Sequence, residues 1–245
     1  MTSSLRIVSY NFKALQMDAA ALGAVLRAEQ ADVVAVQEPP RFWGARRRLR
    51  EFAHACGLEV VVYGNYPFGG ATTALLAAPE VAARVIDRGS QILPFDPWLW
   101  PSLWREHRIW PSRRGYAYLT TTDVTVISIH LGLNPEERKV HRNIILNRIH
   151  ALGARRCVVA GDLNEQPDGP SWLAFGRRLR DAVRLMSDES DSSFHTFPSQ
   201  RARLRIDGVF VGTDFAVEEV HLPDGPDVQA ASDHLPTVVR VRLPS

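Results

Sequence analysis

The stretch Cys157-Val158-Val159-Ala160-Gly161-Asp162-Leu163-Asn164 decides how the rest of the chain is read. A short apolar run of this kind reads as a buried strand. The expected strand stops at Gly161, and a carboxylate and an amide follow at i and i+2. Gln166, Pro167, Asp168, Gly169 and Pro170 then force a loop. In an extended chain, side chains two apart point the same way. Asp162 and Asn164 are therefore expected to reach together into one cleft at the strand's carboxyl end, where open α/β sheets place their ligands.

Turns also use Asp and Asn to bond the backbone. The pair gains meaning only if other acids and histidines end strands in the same way, and they do. Residues 5–10 read as a strand ending at Asn11. Residues 32–37 read as a second, ending in Glu38, with Pro39-Pro40 to stop it. A carboxylate at the end of a buried strand is costly unless solvated, paired or metal-bound. Residues 115–121 and 124–130 read as a hairpin whose second strand ends in His130. Residues 205–211 read as a strand with Asp207 in its middle, an acid that needs a partner. Ser232-Asp233-His234 precedes a final strand over 237–243. Further strands are expected over 59–63, 73–77, 81–87 and 215–222.

Helical spacing predicts a helix over 19–30, capped by Asp18. A second is expected over 42–56, with Phe42, Leu49, Phe52 and Cys56 inward and Arg46, Arg47, Arg48 and Arg50 outward. A third starts at Asn134 as N-cap, with Pro135 at N1 and Glu136 and Glu137 in the first turn. Its inner face is expected to be Val140, Ile144, Ile145, Ile149 and Leu152, which leaves His141 and His150 on the surface. Pro170 can start a short helix through Phe175.

Residues 92–110 hold Trp98, Trp100, Trp104 and Trp110 among prolines that exclude a regular helix. Three readings stand: a platform stacking on bases, a contact with lipid, and a loop packed on its own domain, which we place first. Arg114 closes this segment beside the next strand and, with Trp104, is a candidate for binding substrate.

At 245 residues and 45% hydrophobic content, the chain can bury a large core, and one domain over 1–245 is expected. Twenty-nine basic against 27 acidic residues is no footprint of a strong nucleic-acid binder. Only Lys13 and Lys139 are lysines, so nearly all the positive charge is arginine. Cys56 and Cys157 form neither a disulfide framework nor a metal pattern and are expected in the core. With no apolar leader and no membrane-length run, a cytoplasmic setting is the expectation.

The ordered set Ser9-Tyr10-Asn11, Val36-Gln37-Glu38, Ser128-Ile129-His130, Gly161-Asp162-Leu163-Asn164, Arg205-Ile206-Asp207 and Ser232-Asp233-His234 resembles the endonuclease/exonuclease/phosphatase family. That family includes deoxyribonuclease-I-like nucleases, AP endonucleases, inositol polyphosphate 5-phosphatases and sphingomyelinases. The resemblance implies an α/β (α+β) four-layer sandwich, two packed mixed β-sheets flanked by helices. It also implies a metal-dependent phosphoesterase. Glu38, Asp233 and Asn11 would hold Mg²⁺, or less specifically Mn²⁺ or Ca²⁺, since all offer oxygen. Asp162 would orient or deprotonate the attacking water, and Asn164 would hold a phosphate oxygen. His234 would donate to the phosphate with Asp207 fixing its tautomer. His130 would be a second donor or the acid to the leaving group. A phosphodiester in nucleic acid is the first expected substrate. The alternatives are a small or lipid-linked phosphate, and a non-catalytic binding module on the same scaffold.

Overall fold

Two β-α-β units with parallel strands frame the molecule. The computed structural model describes residues 4–41, 43–64, 72–95, 113–187 and 191–244. In the first unit β1 (Ser4–Asn11) leads through α1 (Ala19–Glu29) to β2 (Val33–Gln37), which lies parallel to β1. The Asp18 carboxylate caps α1 by accepting from the Ala20 and Ala21 N–H groups. Then follow α2 (Ala45–Ala55), β3 (Glu59–Tyr63), β4 (Thr73–Ala77), α3 (Pro79–Ala82), β5 (Asp87–Ile92) and β6 (Gly115–Thr120). The second unit joins β7 (Thr125–His130) through α4 (Pro135–Leu152) to the parallel strand β8 (Cys157–Asp162). After it come α5 (Pro170–Gly176), β9 (Arg180–Asp181), α6 (Ala182–Met186), β10 (Asp207–Val211), β11 (Ala216–His221), α7 (Pro226–Ala231) and β12 (Thr237–Arg242).

The strands form two six-stranded sheets, ordered β11-β12-β1-β2-β4-β3 and β5-β6-β7-β8-β10-β9. Each is mixed, with one parallel pair among antiparallel neighbours. Alternation along each strand sorts side chains between two faces. Ile7, Val33, Leu75, Val126, Val158 and Val209 meet in one cluster between the sheets. Val8, Val34 and Val36 pack outward with Leu22, Leu26 and Leu49 of the helices. Ile127, Ile129 and Val159 pack outward with Ile145, Ile149 and Phe175. The result is four layers, helix, sheet, sheet, helix. Burial on both faces explains why β2 and β8 are unbroken apolar runs. Among the described residues no helix is long and apolar enough to cross a membrane.

The inward parity carries a gradient. Ile7, Ser9 and Asn11 succeed one another along β1, and Val33, Ala35 and Gln37 along β2. Val126, Ser128 and His130 do so along β7, and Val158, Ala160 and Asp162 along β8. The seam between the sheets thus passes from branched aliphatic, through small, to polar side chains as all four strands approach their carboxyl ends.

Several expectations need correction. The strand read over 81–87 instead begins in the end of α3, which Pro79 starts, and runs on through a turn, and the strand proper is β5 from Asp87. That strand lies at a sheet edge with a largely polar, partly exposed sequence, so it carries no apolar signal. The second helix begins at Ala45 after left-handed Gly44, and Phe42 lies outside the described residues. Asp207 opens β10 instead of interrupting it. On α4, Val140 is exposed while Glu137 and His141 join Ile145 and Ile149 on the buried face. His141 is acceptable there because both ring nitrogens are used: Nδ1 accepts from the Gly132 N–H at 3.2 Å, and Nε2 donates to the Pro94 carbonyl at 2.7 Å. Both cysteines are buried and free, as expected.

Gly161 does not end its strand. It is paired with Ile129 on one side and Gly208 on the other. Its φ is +155°, and a Cβ there would lie 2.0 Å from the Ile129 carbonyl oxygen. Glycine lets β7 close on β8 one residue before Asp162. Gly161→Ala is therefore expected to cost about 2–3 kcal/mol or more, because backbone and not a flexible side chain must move. Chemical denaturation of the variant against wild type measures it, and an unchanged midpoint contradicts the close approach.

Candidate active site

The polar end of the seam gathers side chains from both sheets. In one sheet Gly115, His130, Asp162 and Asp207 are successive register partners across β6, β7, β8 and β10. In the other, Asn11, Gln37 and Thr73 form the corresponding row. Asn11 Nδ2 reaches across to Asp162 Oδ2 at 3.5 Å. Gln37 Nε2 reaches Ser128 Oγ at 3.3 Å, and Ser128 Oγ donates to the Val36 carbonyl. The two sheets are stitched together by the residues that form the site.

Asp162 is the hub. It is 2% exposed, and its Oδ2 lies 3.3 Å from His130 Nε2 and 3.9 Å from His234 Nε2. Burial alone would raise its pKa. The His130 ring, His234 and Arg114 outweigh that and hold the carboxyl well below the usual carboxylate range. Its Oδ1 accepts the Asn164 N–H at 2.8 Å. Asn164 itself has φ +50°, so the chain has already left the extended conformation. The expected i, i+2 alignment of Asp162 and Asn164 therefore does not hold. Asn164 turns back and donates Nδ2 to the Leu131 carbonyl at 2.9 Å.

The two histidines differ in charge for a local reason. Arg114 Nη1 lies 3.0 Å from His130 Nδ1, and a guanidinium can only donate. His130 Nδ1 must therefore be the acceptor, which leaves the proton on Nε2, facing Asp162. Burial lowers the His130 pKa and Arg114 lowers it further, so the ring is neutral. His234 Nδ1 instead meets Asp207 Oδ2 at 2.8 Å. Burial would lower its pKa, but the carboxylates of Asp207, Asp162 and Asp233 raise it to about 9. Asp207 is itself pushed up by burial and by Asp162. The pair holds one proton, and we place it on the imidazole, which faces three carboxylates. The Phe197 ring covers His234 with centroids 4.9 Å apart.

A third group sits where the loops leave the sheets. Arg114, 8% exposed, also donates toward Glu38 Oε1 at 3.4 Å, and Arg41 lies 3.5 Å from the same oxygen. Burial opposes ionisation of Glu38, yet the fixed cations Arg114, Arg41 and Lys13 hold its carboxyl well below the usual range. Lys13 Nζ donates to Asp233 Oδ2. The other oxygen, Asp233 Oδ1, is buried without a hydrogen-bond partner among the described residues. Ser232 Oγ fixes this loop to the end of β1 by donating to the Asn11 carbonyl at 2.5 Å. Lys13, Ala14 and Leu15 have φ of +47°, +57° and +55° in succession. Each left-handed non-glycine residue costs roughly 1–2 kcal/mol.

Glu38, Asn11 and Asp233 offer oxygen, and an orphaned carboxylate oxygen fits a hard cation. Asp162, Asp207 and His234 also place ligand atoms within 4.8 Å of one another. In that second set His234 Nδ1 and Asp207 Oδ2 are already engaged with each other at 2.8 Å, so we assign the ion to the first set. Sequence reasoning did not single out Lys13 or Arg41 for the site. Lys13 had a signal, as one of two lysines in the chain and two residues after Asn11. Trp104 lies outside the described residues.

Solved structures share this fold. An endonuclease/exonuclease/phosphatase from Beutenbergia cavernae matches with TM-score 0.69 at 23% identity, over 99% of this chain and 72% of that one. A mannosyl-6-phosphatase from Bacteroides thetaiotaomicron matches with TM-score 0.70 at 17% identity, over 97% and 99% of the two chains. D. rerio TDP2 complexed with single strand DNA product matches with TM-score 0.69 at 18% identity, over 98% and 99%. No curated protein matches the sequence. The model of the Endonuclease/Exonuclease/phosphatase family matches residues 8–234, the span from the middle of β1 to His234 itself, and the chain belongs to that family, whose members are phosphoesterases.

Proposed function

We propose that the protein hydrolyses a phosphate ester with the help of a divalent cation, and that a phosphodiester in nucleic acid is its first substrate class. The observation that carries this reading is one buried, ionised carboxylate, Asp162, facing a neutral histidine and a charged one. Enzymes of the family generally use divalent metals. Glu38, Asp233 and Asn11 are the residues we assign to holding the ion, Mg²⁺ first and Mn²⁺ second. When bound, such an ion supplies positive charge to the phosphoryl group and to the departing oxygen.

The remaining roles follow from proton positions. Asp162 holds the attacking water, and its low proton affinity suits orienting that water better than keeping its proton. His130 donates Nε2–H to Asp162 and so fixes the carboxylate, with Arg114 setting the tautomer. Both its ring nitrogens are then used, which favours positioning over proton donation to the leaving group. The His234 imidazolium, held by Asp207, donates to a phosphoryl oxygen. Asn164 spends one amide hydrogen on Leu131 and keeps the second for a phosphate oxygen. Arg114 acts on substrate through the charge it adds beside Glu38. We take residues 1–245 as one domain carrying this site.

The resemblance to TDP2 bound to a DNA product favours nucleic acid. A near balance of 29 basic and 27 acidic residues favours the second reading, a phosphatase or phosphodiesterase on a small or lipid-linked phosphate. Turnover of plasmid, bis-p-nitrophenyl phosphate and p-nitrophenyl phosphate, with Mg²⁺ and with EDTA, separates them. EDTA is expected to abolish all turnover, and activity that survives chelation rejects the metal assignment. Asp162→Asn and His234→Gln are each expected to lower kcat about 10²–10⁴-fold while the chain stays folded by circular dichroism. Near-wild-type rates in both would remove the assignment.

His234 also predicts a pH dependence. With its pKa raised to about 9, the donor form survives well above neutrality. The stability it lends is complete below about pH 6.5, the free-imidazole value, and is lost as pH rises through the folded pKa. The alkaline limb of kcat/KM is expected near pH 9 in wild type. Asp207→Asn is expected to move it toward neutral pH, and NMR titration of His234 in the metal-free protein should move with it. A limb that ignores Asp207→Asn contradicts the pairing.

A further inference from the structure

We propose that Lys13 is a resident cation of the metal centre: its ammonium shares Asp233 with the divalent ion and keeps the site's affinity for that ion low. The inference rests on the assignment of Glu38, Asp233 and Asn11 as the cation's ligands. Lys13 contacts two of the three directly, and its neighbour Ala14 holds the backbone of the third. Its Nζ donates to Asp233 Oδ2, which leaves the buried Oδ1 as that carboxylate's bare oxygen among the described residues. Its backbone N–H donates to Asn11 Oδ1 at 3.0 Å, and the next N–H, that of Ala14, donates to the Glu38 carbonyl at 2.7 Å. Its charge also contributes to the acidity of Glu38.

The backbone shows that this placement is specified. Three successive left-handed residues, Lys13, Ala14 and Leu15, follow Asn11, none of them glycine. The turn is held by Phe12 N–H to Gln37 O and Leu15 N–H to Phe12 O, at 2.9 and 2.8 Å. Residue choice points the same way. Of 29 basic residues only Lys13 and Lys139 are lysine. An ammonium is a compact point charge, closer in shape to a metal ion than a planar guanidinium is.

The pairing gives the consequence. Asp233 is already answered by Lys13, and Glu38 by Arg41 and Arg114. A divalent ion therefore arrives at carboxylates that fixed cations already face, and beside a like charge. Its unmatched positive charge is then available to an anionic phosphate. Removing Lys13 should deepen the cation well.

The test is Mn²⁺ binding to metal-free protein, read from the electron paramagnetic resonance signal of free Mn²⁺. Wild type, Lys13→Met, Lys13→Arg and Glu38→Gln are compared. Lys13→Met is expected to bind about ten-fold tighter or more, the scale of removing a unit charge a few ångströms from a dication in a wet site. Lys13→Arg, which keeps the charge, should stay near wild type, and Glu38→Gln should bind more weakly. Without metal, Lys13→Met should melt below wild type, and saturating Mn²⁺ should raise its Tm by more than it raises the wild type's. Should Lys13→Met fail to fold, Lys13→Gln takes its place. Unchanged or weaker binding on removal of the charge overturns the inference while Glu38→Gln still reports a metal site. Absence of binding in wild type, with no effect of Glu38→Gln, overturns the metal assignment beneath it.

Discussion

A full negative charge at the polar end of the seam between two sheets is the constraint that the other features answer. Asp162 sits where its strand's inward parity elsewhere carries Val158 and Ala160. A carboxylate so placed is tolerable only if several donors surround it. Asn11 comes from the facing sheet, His130 from the neighbouring strand, His234 from the loop before β12, and the Asn164 N–H from its own turn. Each donor lies on a different segment, so the charge can be satisfied only when both sheets are formed and packed. Folding and assembly of the site are in that sense one event.

The same constraint explains why two histidines that touch one carboxylate differ in charge. What decides it is the atom behind each ring. Behind His130 stands a guanidinium, which demands a lone pair. Behind His234 stands a carboxylate, which demands a proton. Asp162 therefore faces one fixed neutral donor and one mobile proton, a division of labour that acid–base chemistry requires of paired groups. Exchanging Arg114 for an acid would give two similar rings and lose that distinction.

How much of this was legible in the sequence depends on the physical signal involved. The βαβ units were readable because β1, β2, β7 and β8 are buried on both faces and end in polar residues, with well-capped helices between them. Polar residues ending apolar strands pointed to the strands' carboxyl ends, while the period-2 descent from Val158 to Ala160 to Asp162, repeated in three other strands, emerges from the sheet pairing. Edge strand β5 was missed because an exposed strand need not be apolar. His141 was misplaced because a neutral histidine with both nitrogens bonded passes for a core residue, while Val140 beside it is exposed. Arg114, read in the sequence as a candidate substrate contact, lies buried against Glu38 and His130, a setting that only the fold reveals. Lys13 was passed over because its meaning lies in a salt bridge to a residue 220 positions away.

Backbone strain marks the same place. Among the described residues, seven non-glycine positions have positive φ, and five of them, Lys13, Ala14, Leu15, Glu38 and Asn164, lie where β1, β2 and β8 give way to site loops. At roughly 1–3 kcal/mol each, such conformations persist only where the surrounding structure over-determines them. The core clusters between and outside the sheets provide that determination. A strand that simply ran on would carry its next polar side chain past the seam, into solvent or toward the helices. Reversing the backbone at its end instead turns N–H groups back onto the residues just passed, as Asn164 does to Asp162 and Lys13 does to Asn11. The left-handed turns are thus the means by which regular sheets are made to hold an irregular cluster of charges, and the apolar seam behind them supplies the stability they consume.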